Sequence, residues 1–235
     1  MTGPAMTEPA VTGPATAGAG SVLRTKIALL LPSLQAAADR VWDTPPARER
    51  YIGYLSVMHA VIRASVPLMR VAARRCATAG GDPVALPLRE YLRGHIAEER
   101  GHDDWIAADL AASGEDPGRC IARIPPAEVA ALVGAQYYWI EHYHPVTLLG
   151  YIAVLEGNPP KPELVHHLMD ITGLPAPAFR TLRAHAELDP GHAAAVFTLL
   201  DELALTADQR QAIDRSALHC LLQATRIMAD LAAGP

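Results

Sequence analysis

Apolar residues recur at intervals of three and four along most of this chain, and they hardly ever alternate with polar ones. That period belongs to helices lying with one face on a core. It predicts a first helix over residues 22–42, stopped by Asp43-Thr44-Pro45-Pro46, and a second over 47–77 with Leu55, Met58, Ile62, Val66 and Met69 inward. Pro67 is expected to bend the second helix, because its ring clashes with the preceding turn. Gly80-Gly81-Asp82-Pro83 is an emphatic break, and a third helix is expected to run from there to about residue 112. Further helices are expected over 127–143, from Pro145 to Glu156, over 162–172 and over 176–203. A last one, over 206–232, opens on the capping-box pattern Thr206-Ala207-Asp208-Gln209. The expected fold is an all-α bundle of seven to eight helices forming one domain over 21–235. Residues 1–20, rich in Ala, Pro, Gly and Thr, read as a disordered tail.

Composition supports helices over sheets. Half the residues are apolar but only 5% are aromatic, and Ala and Leu dominate. A net charge of −5 without a basic run argues against nucleic acid as a partner. Cys76, Cys120 and Cys220 are odd in number and widely spaced, which suits free thiols in a reducing compartment. The N-terminal residues lack the basic and apolar regions of a signal peptide, and no continuous apolar run reaches the length of a membrane span. A soluble, cytoplasmic protein is expected.

The chemistry concentrates in a pattern that appears twice. His95-Ile-Ala-Glu98-Glu99-Arg-Gly-His102 and His185-Ala-Glu187-Leu-Asp189-Pro-Gly-His192 both read His-x3-acid-x2-His. Positions i, i+4 and i+7 share one stripe of a helix. Two such stripes facing each other would offer four imidazoles and two carboxylates to one point. Donors of that kind, drawn from facing helices, hold non-haem iron or manganese in bundles. In the first copy Glu98 and Glu99 both lie within about 50° of the stripe. The second copy, with Leu188 at the competing position, favours Glu99 and leaves Glu98 as a flanking acid. Pro190-Gly191 predicts a kink or partial unwinding within the second copy. Chance must be weighed too, since ten histidines and 25 acids will place some pairs at helical spacing. The same order on two separate helices is what lifts the pattern above it.

Glu156 ends the apolar run Leu148–Leu155, and His59 sits among the apolar residues of the second helix. Each taken alone reads as well, or better, as a solvated helix end and a core histidine. His142 and His144 read as loop residues, His166-His167 as surface, and His219 as core or rim. No GxSxG, P-loop or GxGxxG occurs. Haem would need a single axial histidine, and zinc takes four ligands where more converge here.

Three segments together resemble the heme-oxygenase-like non-haem diiron oxidases and oxygenases. "LRGHIAEERGHDDWIAADLAASG" (92–114) is similar to the family helix with an E-x2-H pair followed by Asp-Leu and a Gly. "GYIAVLEG" (150–157) is similar to its "LEG" helix, and "HAELDPGH" (185–192) to the H-x3-D-x2-H of its last ligand helix. The resemblance covers roughly residues 45–230. It implies a centre of two Fe(2+) per chain, with Glu99, His102, Glu156, His185, Asp189 and His192 as ligands and His95 as ligand or supporting group. The family's second-helix glutamate has no counterpart between Tyr51 and Arg75, so His59 is the substitute the resemblance points to. It further implies O2 as co-substrate and a small-molecule substrate such as an amino acid, a fatty acid or a natural-product intermediate, within secondary metabolism. A homodimer is an expected assembly. Two other classes fit the same fold: a metal-independent enzyme, thiaminase-like or quinone-cofactor-synthase-like, and a non-catalytic helical partner protein.

Overall fold

A computed structural model describes residues 17–234. Residues 1–16 of the expected tail lie outside the described residues, whereas Ala19 and Gly20 already belong to the first helix. The helices are α1 (Ala19–Asp43), α2 (Ala47–Thr78), α3 (Ala85–Glu99), α4 (His102–Ala112), α5 (Pro117–Ile121), α6 (Ala127–His142), α7 (Leu148–Leu155), α8 (Pro162–Thr172), α9 (Arg180–Glu202) and α10 (Ala207–Ala233). Single 3₁₀ turns at Pro145–Thr147 and Ala176–Phe179 lead into α7 and α9. Among the described residues there is no strand.

Most expected boundaries hold because the punctuation is chemical. Thr206 and Gln209 form the reciprocal capping box that starts α10. Asp116 accepts from the Gly118 and Arg119 N–H groups, with Pro117 at the first helical position, and this makes a short helix of a stretch expected to be a turn. The largest departure is the third expected helix, which is two. It stops at Glu99, Arg100 is extended, and Gly101 at φ 88° turns the chain into α4. Glycine takes that left-handed conformation without the steric penalty other residues meet. Neither proline ends its helix: α2 continues through Pro67, and α9 runs through Pro190 without unwinding.

Packing places α2 centrally, against α3, α4 and α6, while α1 lies along α10. By length and composition α2 could cross a membrane, because its apolar residues are numerous though not consecutive. Leu55, Leu68, Met69 and Ala72 on it are buried in the core. α7 is apolar all round, and each residue from Leu148 to Val154 is buried. Gly150 sets its distance from α10. A Cβ there would run into the Ile213 carbonyl oxygen and stand 2.8 Å from the Ala217 nitrogen. Backbone cannot yield as a flexible side chain can, so overpacking is expected. Gly150→Ala should destabilise the fold by about 1–3 kcal/mol. Thermal unfolding checks this, and an unchanged midpoint would show that α7 and α10 can separate freely.

Candidate metal centre

The corner at Gly101 builds the first half of the site. Glu99 is the last residue of α3 and His102 the first of α4, so this acid and histidine face each other across a turn, not along one helix. The His102 Nδ1 lies 3.1 Å from Glu99 Oε2, and both side chains are buried. His185 reaches the same point from α9. Its Nδ1 donates to the Thr181 carbonyl at 2.9 Å, which leaves Nε2 as the free nitrogen. Donor atoms of Glu99, His102 and His185 lie within 4.8 Å of one another.

A second triad stands beside the first. Donor atoms of His95, Glu98 and His192 also fall within 4.8 Å of one another. Glu156, at the C-cap of α7, ties the two together. It accepts a 2.8 Å hydrogen bond from His95 Nε2, and its other oxygen is 3.5 Å from His192 Nδ1. His192 Nδ1 is in turn 3.6 Å from Glu99 Oε1. Asp189 completes the group from α9, one turn below His185 and 4% exposed.

This donor set fits metal ions by its unmet needs. Glu99 Oε1, His102 Nδ1, Glu156 Oε2, Asp189 Oδ1 and His192 Nδ1 are all buried without a hydrogen-bond partner. One such atom costs about 1–3 kcal/mol, and five in one place call for an electrophile. Four carboxylates (Glu98, Glu99, Glu156, Asp189) also balance the charge of two divalent cations. Mixed imidazole and carboxylate donors suit iron or manganese.

Charge crowding shows in the titration of these groups. Burial pushes the Asp189 carboxyl up to about 8, helped by the charges of Glu156 and Glu99. Burial also works to raise Glu99, but His102, His95 and His185 outweigh it and leave this carboxyl below its usual range. Burial alone would lower the His95 imidazole, yet its bond to Glu156 and nearby acids hold it raised. His185 is lowered, chiefly by burial.

Seven of the eight residues singled out by sequence therefore meet: His95, Glu99, His102, Glu156, His185, Asp189 and His192. His59 does not. It is buried on α2 about 100° round the helix from Met58, which does line the cavity beside the centre. Its charged neighbours are Arg63, Asp103 and Asp104, and burial lowers its pKa. The α2 positions that face the cavity carry Tyr54, Leu55, Met58, Val61, Ile62 and Ser65, so α2 brings no acid or imidazole to the cavity. Glu98 is closer to the centre than a flanking acid need be, with Oε2 3.5 Å from His95 Nδ1 and 3.6 Å from His192 Nε2, although it is 60% exposed. Sequence reasoning missed two aromatic supports, Trp105 stacked on His102 at 3.9 Å and Tyr91 stacked on His95 at 5.5 Å. Their spacing of three and four from those histidines was the available signal.

A cavity of about 940 Å³ opens onto Glu99, Glu156, His185 and Asp189. Leu34, Met58, Ile62, Val154, Ile227 and Met228 give the rest of it an apolar wall.

Asp189 yields a pH test on metal-free protein. Unfolded, its carboxyl ionises near 4; folded, it does so at about 8. Between those values the folded state holds a proton that the unfolded state releases, so this residue's contribution to stability falls as pH rises from about 4 to 8. Asp189→Asn mimics the protonated acid. It should stabilise the metal-free protein by up to about 5 kcal/mol at pH 8 and change little at pH 4. Urea unfolding at the two pH values measures this, and equal effects at both would contradict it.

The architecture recurs in solved structures. A domain of unknown function with a heme oxygenase-like fold from Shewanella denitrificans is similar at TM-score 0.76 and 19% identity, over 89% of this chain and 90% of that one. A CADD-like protein of unknown function from Nostoc punctiforme gives 0.68 and 14%, over 91% and 97%. A TenA homolog from Pseudomonas syringae gives 0.58 and 18%, over 92% and 97%. At these identities the likeness establishes the heme oxygenase-like fold. No curated protein matches the chain. The sequence over residues 56–224, which includes every residue of the centre, matches the model of the iron-containing redox enzymes, and the chain belongs to that family.

Proposed function

We propose that the chain is an O2-activating non-haem diiron oxidase or oxygenase whose substrate is a small metabolite with a substantial apolar part. The observation that carries this reading is the pair of donor triads joined by Glu156 at the floor of an apolar cavity. Glu99, His102 and His185 would hold one iron; His192, with Glu98 or His95, would hold the other, and Glu156 and Asp189 lie in reach of the pair. Bound iron supplies the O2 binding and redox chemistry. The protein's own residues hold the imidazoles in place. Trp105 and Tyr91 pack on His102 and His95, and the Thr181 carbonyl fixes the outward nitrogen of His185. The apolar wall favours substrates whose bulk is hydrocarbon, such as a fatty acid or an apolar amino acid.

A thiaminase-like, metal-independent reading draws on the TenA homolog among the structural relatives, but a thiol mechanism lacks its nucleophile here. All three cysteines are buried and none lines the cavity. Burial raises the Cys76 thiol to about 11 and Cys220 further, far from a reactive thiolate.

Metal analysis separates these readings. Protein reconstituted anaerobically with ferrous ion should hold about two irons per chain. His102→Ala and His185→Ala should each weaken binding by about 100-fold or more and abolish turnover; Glu98→Ala, at an exposed position, should cost about tenfold or less. Iron and manganese at background would end the oxygenase reading. A severe loss from Glu98→Ala with a silent Glu99→Ala would exchange the roles of the two acids.

A further inference from the structure

The stripe of α4 that starts at His102 continues through Trp105 to Asp109, three and seven residues on, and the whole stripe faces the beginning of α9. The His102 and His185 rings meet edge to face at 5.2 Å. The Arg180 guanidinium lies over the Trp105 ring at 5.1 Å. Asp109 is completely buried, and its Oδ2 accepts the Thr181 N–H at 3.0 Å.

That last contact does a job that α9 cannot do for itself. A helix of 23 residues begins with unpaired N–H groups, usually met by a side chain just before the first turn. Here the position is held by Phe179, which has no acceptor and is stacked on Tyr51 at 4.6 Å in the core. The cap is therefore supplied by a carboxylate from another helix. Thr181 carries its effect one turn further, because the Thr181 carbonyl is the acceptor for His185 Nδ1 at 2.9 Å.

We propose that Asp109 is a positioning residue which, by clamping Thr181, fixes the rotation and tautomer of His185 and so aims its Nε2 lone pair at the centre. The two helices that carry His102 and His185 are thereby set in one register by a single buried carboxylate. Without it the first turn of α9 frays, the Thr181 carbonyl loses its fixed place, and the His185 ring turns between its two nitrogens. The inference rests on the metal-centre reading only for what Nε2 is aimed at; the clamp itself is a property of the metal-free protein.

The test uses the full chain with two readouts. In metal-free protein with ¹⁵N-labelled histidine, the wild type should show His185 protonated on Nδ1, and Asp109→Ala should turn this into a mixture of tautomers. With Co(2+) as an optical probe, Asp109→Ala should weaken one site by about tenfold or more and alter its visible spectrum. Asp109→Asn keeps an acceptor oxygen and should recover most of both signals. Asp116→Ala, which removes the cap of α5 away from the centre, should change neither. An unaltered His185 tautomer in folded Asp109→Ala overturns the proposal. If Asp109→Ala does not fold, Asp109→Leu, which fills the same space without an acceptor, decides: a mixture of His185 tautomers supports the clamp, and wild-type values in both readouts overturn it. A tautomer shift with no Co(2+) binding by any form of the protein would keep the clamp and instead remove the metal centre.

Discussion

Everything in this fold answers to one constraint: four carboxylates and four imidazoles are gathered where most of them cannot reach water. An ionised group moved from water into a protein interior loses several kcal/mol of hydration unless partners replace it. The partners here are mutual. Glu99 is flanked by His102 and His192, Glu156 by His95 and His192, and the rings of His95, His102 and His185 are held from behind by Tyr91, Trp105 and the Thr181 carbonyl. The cluster still leaves five polar atoms without partners, so the apolar bundle around it must supply the stability that the cluster does not.

The helices bring those groups together by ending or turning at the right place. Glu99 and His102 sit on either side of the Gly101 corner, and Glu156 is the residue at which α7 stops. α9, by contrast, delivers His185, Asp189 and His192 from the middle of an uninterrupted helix. This explains what could be read from sequence. The repeated His-x3-acid-x2-His pattern picked out residues that meet in the structure from both copies, and helix periodicity placed α1, α2, α6 and α10 within a few residues. The geometry behind the first copy differs, because a single stripe requires a continuous helix and the helix breaks at Arg100-Gly101. A glycine there was the local sign of the break, but nothing nearby in sequence demanded that it be used.

His59 shows the opposite failure. Its residue type was suitable and its helix borders the cavity, yet a one-residue offset from Met58 turns it away by about 100°. Periodicity identifies a helix face but not the rotation of that face against a site assembled from distant segments. The same limit hid the role of Asp109, whose partner Thr181 lies 72 residues away along the chain.

Glu156 also has a cost of its own. It stands at the C-cap of α7, where the helix dipole presents partial negative charge, and a carboxylate there is opposed by the end of its own helix. Two features of the centre, an excess of acids and a helix terminus of the wrong polarity for them, thus act in the same direction. Both reward positive charge and neither distinguishes one small divalent ion from another. The backbone of α7 therefore adds to the same negative field as the side chains, and removing the Glu156 charge would leave that part of the field in place.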